Sequence, residues 1–178
     1  MSRAWKWLCF HLMRLAFVVR DFFEQPGSIL ADVGLQRGST VLDYGCGAGS
    51  FTTAAARLVG PAGTVHAADA NPAAIRHVRR IAAKRHLANV EAVRTDCATG
   101  LDDGSVDAVL LYDTFHALRE PGGVLAELHR VLKPTGVLSF SDHHMKHEDI
   151  LAGLTAGGRF KLLRRKERVY TFAKSSPA

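Results

Sequence analysis

Cysteine is scarce: Cys9, Cys46 and Cys97 are the three in 178 residues. Their number is odd and their spacing wide, and no C-x-x-C pair occurs. Neither a disulfide framework nor a cysteine-based metal site is expected. A reduced, cytoplasmic setting is the simplest expectation. Proline is sparse too, at six residues, and there is no internal repeat or low-complexity segment. No apolar run is free enough of charge to read as a membrane span. Residues 3–23, RAWKWLCFHLMRLAFVVRDFF, come nearest. Arg14 sits at their centre, where arginine costs about 2.5–3.5 kcal/mol on insertion scales. Lys6, His11 and Arg20 add to that cost. Asp21, Phe22, Phe23 and Glu24 follow where a signal peptide would place small residues.

What is present is ordinary for one globular domain: 47% hydrophobic and 22% charged residues. A chain of this size buries roughly 70% of its unfolded surface, enough for one full core. Lys plus Arg is 23 against 17 for Asp plus Glu, a net charge of +6. Such a balance favours anionic surroundings. The excess is dispersed, densest at residues 76–85 and 161–168, as in a solvated basic face.

On a helical wheel of about 100° per residue, Arg3, Lys6, Arg14, Arg20, Asp21 and Glu24 share one arc of about 120°. Trp5, Leu8, Leu12, Leu15, Val19 and Phe22 face the other way. Residues 1–26 are therefore expected to form an amphipathic helix. It serves as a cover on the domain, a lid over an apolar substrate, or a membrane-surface anchor. Residues 27–178 form the domain itself.

Beyond Pro26-Gly27 the pattern alternates. Short β-rich runs are predicted at 40–44, 64–68, 90–94, 106–112 and 136–141. Helices are predicted at 29–33, 50–59, 72–86, 121–132 and 147–156. Two final strands, 160–166 and 169–173, read as a closing antiparallel pair. Strands alternating with helices of about 10–15 residues indicate βαβ units and a parallel sheet. The run at 106–112 is apolar except for Asp107, which suits a strand covered on both faces.

In open α/β sheets ligands bind beyond the carboxyl ends of the strands. The first such end reads Asp43-Tyr44-Gly45-Cys46-Gly47-Ala48-Gly49-Ser50. Glycines there allow a tight turn and close backbone approach. The dinucleotide pattern G-x-G-x-x-G would need glycine at position 50, which is Ser50. The pattern present, D-x-G-x-G-x-G, resembles motif I of the class I S-adenosylmethionine-dependent methyltransferases.

That resemblance covers residues 33–174. It implies a three-layer αβα Rossmann-like fold, with a seven-stranded, mostly parallel sheet and an antiparallel C-terminal strand. It also implies S-adenosyl-L-methionine as cofactor. Asp43, Gly45, Cys46, Gly47 and Gly49 stand at its glycine loop. Asp69 and Ala70 end the second strand, where the family places an acid on the ribose hydroxyls. Asp96 and Cys97 follow the third strand, at the adenine edge. Tyr112 ends the fourth strand beside the methionine moiety. The segment from Leu125 to Gly136, with Glu127, Arg130, Leu132, Lys133 and Pro134, is similar to the family's "E-x-x-R-v-L-K-P-G-G" stretch, Thr135 replacing its first glycine. Blander readings stand beside these: Asp43 as a turn cap, Asp69 as a surface acid, Asp96 as a loop cap, and Cys46 and Cys97 as packing residues.

Within the family the chain is most similar to the quinone-biosynthesis and arsenite types, although it lacks the arsenite type's cysteines. The expected activity is methyl transfer to a small or lipid-like acceptor. His116, His144 and Asp113, ranked in that order, are the catalytic candidates, because a neutral imidazole accepts a proton near pH 7. His116 has a structural histidine as its rival reading. Asp142, His143, His144 and His147 cluster after the fifth strand. Adjacent histidines point different ways, so no metal is assigned there. The rivals are an RNA or protein methyltransferase and a cofactor-binding protein without turnover. Against nucleic acid, no RNA-binding module is appended and no N/D-P-P-Y/F motif follows the fourth strand. Oligomeric state is not legible.

Overall fold

The computed structural model describes residues 26–175; the expected amphipathic helix lies outside them. Seven strands, β1 (Thr40–Tyr44), β2 (Thr64–Asp69), β3 (Val90–Arg94), β4 (Val106–Tyr112), β5 (Leu132–Ser141), β6 (Phe160–Lys166) and β7 (Val169–Lys174), form one sheet. Its order is β3-β2-β1-β4-β5-β7-β6. The first five strands are parallel, and β7 runs antiparallel to both β5 and β6. The α-helices of the described residues are α1 (Pro26–Ala31), α2 (Ser50–Val59), α3 (Pro72–Lys84), α4 (Pro121–Val131) and α5 (His147–Thr155). The expected three-layer architecture is the one observed. None of these helices is long and apolar enough to cross a membrane.

Both faces of the sheet are covered. Val41, Ala108 and Leu110 point to α1 and α2, where Leu30, Phe51, Ala55 and Val59 meet them. Leu42, Val109 and Leu111 point the other way, to Val124, Leu128 and Val131 of α4 and to Ile150 and Leu154 of α5. Alternate residues of β1 and β4 thus belong to opposite cores, which is why apolar residues run consecutively in these strands rather than alternating with polar ones. Asp107, the one charge in β4, holds strand starts together. Its Oδ2 accepts from the Thr40 backbone N–H at 2.8 Å, and its Oδ1 from Lys133 Nζ at 2.6 Å.

Local chemistry sets the element ends. Asn71 caps α3, its Oδ1 accepting from the Ala73 N–H at 2.9 Å, with Pro72 in the first turn. The helix stops at Lys84 rather than at 86, because His86 turns to φ +54°. The first helix begins at Pro26, earlier than 29, since proline is preorganised for the first helical position. The largest difference is β5. It starts at Leu132 rather than 136, directly where α4 ends, with Leu132 paired to Val106. A register shift between Val106 and Ala108 absorbs the mismatch. The outer strand β6 carries a similar shift between Leu162 and Arg164. Lys161, Arg164, Arg165 and Lys166 of that strand are exposed.

Candidate active site

The strand order reverses at β1, which lies between β2 and β4. Chains leaving β1 and β4 there diverge to opposite faces and open a crevice at their carboxyl ends. The turn that leaves β1 occupies this point. Gly45, Gly47 and Gly49 have φ of +80°, +50° and +78°, a region costly for side-chain-bearing residues. The Gly45 and Cys46 N–H groups donate to the Ala68 carbonyl at 2.8 and 3.0 Å, lacing the turn to β2. At Gly49 a Cβ would stand 2.9 Å from both Ile81 Cδ1 and Val78 Cγ2, so glycine there lets α2 start hard against α3.

Two carboxylates flank the turn. Asp43 is buried, and its Oδ2 accepts from Thr52 Oγ1 at 2.5 Å, fixing the first turn of α2 to the end of β1. Asp69 accepts twice from backbone: Oδ2 from Gly47 N–H at 2.9 Å and Oδ1 from Asn71 N–H at 2.7 Å. Burial raises the Asp69 pKa, and these two N–H groups work against that rise. Each oxygen has lone-pair capacity left for a ligand hydroxyl. Ala70 beside it is exposed.

The remaining candidates are placed as follows. Cys46 is buried, and burial pushes its thiol pKa far up, which removes thiolate character. Tyr112 is buried, its ring 4.4 Å from that of Phe51 and its hydroxyl 2.7 Å from Ser139 Oγ. It joins Asp43, Gly45, Cys46 and Gly47 around a crevice of about 30 Å³ beneath the turn. A crevice of that volume has room for little more than water. The far larger groove, about 890 Å³, runs between α2 and α3 and shares only Ala48, Gly49 and Ser50 with the turn. It belongs to the helical layer, not to the carboxyl edge of the sheet.

Asp96 is exposed and Cys97 half-buried on the loop after β3. That loop is tied down by α4. Glu127 Oε1 accepts from Thr99 N–H at 2.7 Å and Thr99 Oγ1 at 2.6 Å. Arg130 donates to both Glu127 oxygens at 2.8 Å and to the Leu101 carbonyl at 2.8 Å, and pairs with Asp103. The Arg130 guanidinium, with Thr99, holds the Glu127 carboxyl down at about 2. The E-x-x-R segment thus anchors the loop that carries Asp96 and Cys97.

Two buried side-chain atoms make no hydrogen bond among the described residues: His66 Nδ1, which faces the Glu91 carboxylate at 3.2 Å, and the Tyr44 hydroxyl, at the end of β1. Burial raises the Tyr44 pKa most, and the fields of Cys97, Asp96, Glu127 and Asp69 add to the rise. A buried hydroxyl without a partner costs about 1–3 kcal/mol. An unmet buried donor is what a polar ligand would satisfy. The left-handed glycine turn, the doubly anchored Asp69 and this hydroxyl together fit an adenosyl group.

The ends of β4 and β5 are cross-linked by two acid–histidine pairs. Asp113, at φ +47°, accepts through Oδ1 from the His143 N–H at 2.9 Å and faces His143 Nδ1 at 2.8 Å. Asp142 accepts from the backbone N–H groups of His116 at 3.1 Å and His144 at 3.0 Å. His116 Nδ1 lies 2.9 and 3.0 Å from its two oxygens. The His116 and His144 rings are 4.3 Å apart. Of the three catalytic candidates, His116 and His144 thus meet over Asp142, whereas Asp113 belongs to the neighbouring pair with His143. His147 does not join it; its Nδ1 is 2.9 Å from the Tyr170 hydroxyl. Among the described residues no group of three or more side chains is arranged to hold a metal ion. Sequence reasoning missed the pairing of His116 with Asp142, which lie 26 positions apart.

A 3-2-1-4-5-7-6 sheet with a glycine turn at its switch point and an acid at the end of β2 defines the Rossmann-like methyltransferase class. The chain belongs to the methyltransferase domain family, whose family model matches residues 35–173. It is similar to an aklanonic acid methyltransferase of Streptomyces sp. (strain C5), at 33% identity over 68% of this chain and 56% of that protein. It is also similar to a ubiquinone/menaquinone biosynthesis C-methyltransferase of Pasteurella multocida, at 34% identity over 61% of this chain and 42% of the other. The chain thus spans about half the length of these relatives. A solved structure of a SAM-dependent methyltransferase from Aquifex aeolicus matches with a TM-score of 0.76 and 29% identity, covering 83% of this chain and 89% of that one.

Proposed function

We propose that the chain transfers a methyl group from S-adenosyl-L-methionine to a small or lipid-like acceptor. The observation that carries this reading is the glycine turn at the switch point, with Asp69 holding the Gly47 N–H. The cofactor supplies an already activated sulfonium methyl. The protein's work is then orientation and exclusion of water. In this reading the turn from Gly45 to Gly49 gives close backbone approach, with Asp43, Cys46 and Tyr112 packed behind it. Asp69, with Ala70 beside it, takes the ribose hydroxyls. Asp96 and Cys97 border the adenine edge. His116 accepts the acceptor's proton, with His144 beside it and Asp113 on the neighbouring pair.

A small-molecule acceptor is supported by the relatives' names, which specify aklanonic acid and quinone biosynthesis. It is also consistent with the position of the acid–histidine pairs beyond β4 and β5, where a transferred methyl would have to go. The test is calorimetry with S-adenosylmethionine, S-adenosylhomocysteine and NADH, followed by incubation of a metabolite extract with labelled S-adenosylmethionine. Binding of the first two ligands and a labelled product are expected. Binding of NADH alone would overturn the reading, and binding without any product would mark a protein that holds the cofactor without turnover.

A further inference from the structure

Asp142 is placed differently from the other acids of the site. It follows the last residue of β5, and its side chain is 0% exposed. A buried carboxylate needs hydrogen-bond donors around it. Here there are three: the backbone N–H groups of His116 and His144 and the His116 ring. The two backbone donors pin the carboxylate in place before the imidazole is considered. The ring then meets both oxygens through Nδ1, at 3.0 and 2.9 Å. An ionised carboxylate only accepts hydrogen bonds, so the Nδ1 that faces it carries the proton. The tautomer of a histidine is set by the partner of one ring nitrogen, and the other nitrogen is then bare. The His116 side chain is 33% exposed, against none for Asp142, so the ring reaches from a buried anchor to an open edge. The tilted His144 ring at 4.3 Å limits its rotation.

We propose that Asp142 is a positioning residue for proton transfer. Its buried carboxylate holds His116 as the Nδ1–H tautomer and leaves Nε2 free to take a proton from an acceptor that arrives bearing an O–H or an activated C–H. The inference rests on the methyl-transfer reading for its reaction, but not for its geometry. In the step it serves, the acceptor's O–H or C–H bond breaks and its proton goes to His116 Nε2. The electron pair left on the acceptor forms the bond to the methyl carbon. The carbon–sulfur bond of the donor breaks, and its pair stays on sulfur. An acceptor that is already a thiolate or a free amine needs no such group.

The experiment is ¹H–¹⁵N long-range spectroscopy of the full chain with ¹⁵N-labelled histidine near pH 7.5. The wild type is compared with Asp142→Asn and Asp142→Glu, and His116→Gln identifies the signals. The expected result is a neutral His116 with its proton on Nδ1 in the wild type, retained in Asp142→Glu. Asp142→Asn should shift the proton to Nε2, because a side-chain amide can donate to Nδ1. The same change disables a serine protease triad by selecting the wrong tautomer, lowering kcat by about 10⁴. A proton on Nε2, or on both nitrogens, in the wild type overturns the proposal. An unchanged tautomer in a folded Asp142→Asn also overturns it, leaving Asp142 as a tie between loops. Should that variant not fold, the wild-type tautomer decides by itself. S-adenosylhomocysteine affinity, measured on the same samples, is expected to be equal in wild type and Asp142→Asn. Failure of the wild type to bind it would overturn the methyl-transfer reading and leave the tautomer result standing.

Discussion

Gly45 and Thr114 are packed so closely that a Cβ on the glycine would stand 2.1 Å from Thr114 Oγ1. Thr114 is itself fixed, its hydroxyl donating to the Tyr112 carbonyl at 2.9 Å. The glycine turn after β1 and the segment after β4 are therefore set against each other. Gly45→Ala should cost more than the ~1–2 kcal/mol of left-handed strain alone, because Thr114 must also move. Thr114→Gly in the same chain should recover the steric part and leave the strain. Urea denaturation of the four members of this cycle measures the coupling. Additive losses would show that the contact relaxes without cost.

Asp69→Ala removes the acceptor for two backbone N–H groups as well as any ligand hydroxyl. S-adenosylhomocysteine binding should weaken by about 1.5–3 kcal/mol, the range for hydrogen bonds to a charged group. Calorimetry checks this, and an unaltered dissociation constant would detach Asp69 from the cofactor.

Glu127 predicts an acid response. Its carboxyl is held down at about 2 in the folded chain, chiefly by Arg130, whereas an unperturbed glutamate titrates near about 4.3. Between those values the unfolded chain binds the extra proton, so stability rises with pH. The contribution is complete above the unfolded value and is lost as pH falls towards about 2. Glu127→Gln should lower stability at neutral pH and flatten the acid limb. Urea midpoints measured from pH 2 to 6 test it; parallel wild-type and variant curves would refute it.

For His116→Gln, turnover should fall by about 10²–10⁴-fold, the usual worth of a general base. Cofactor affinity should stay unchanged, since His116 is held by Asp142 and not by the glycine turn. Single-turnover rates with the acceptor found in the extract experiment give the answer. Full activity would leave orientation as the source of catalysis.

Much of this was legible in the residues because it is local. Glycines at 45, 47 and 49 after an apolar run specify a turn, and Asn71-Pro72 specifies a helix start. The alternation of strands with helices specifies a mostly parallel sheet, while its order, with β1 between β2 and β4, appears only in three dimensions. What was not legible depends on distant partners. Nothing around Asp142 announces His116, because the pairing requires β4 and β5 to end side by side. The start of β5 at Leu132 was hidden for the same reason: Lys133-Pro134 reads as a helix stop, and only Val106 across the sheet makes it a strand. Glu127 and Arg130 were noticed through resemblance, but their grip on the loop after β3 exists only in three dimensions.

The two outermost strands set what the sheet offers to another strand. A bare sheet edge is a template on which another chain's strand can add. On one side, β6 offers an approaching copy Lys161, Arg164, Arg165 and Lys166, all exposed, beside a register shift that breaks the ladder. On the other, β3 is five residues long with Glu91 and Arg94 exposed. Two β6 edges brought together would set these cations against one another; among the described residues Lys166 alone is paired with an acid, Asp32, at 2.8 Å. On the β6 side the sheet thus ends in a like-charged border, whose repulsion weakens as salt shortens the screening length to about 3 Å at 1 M.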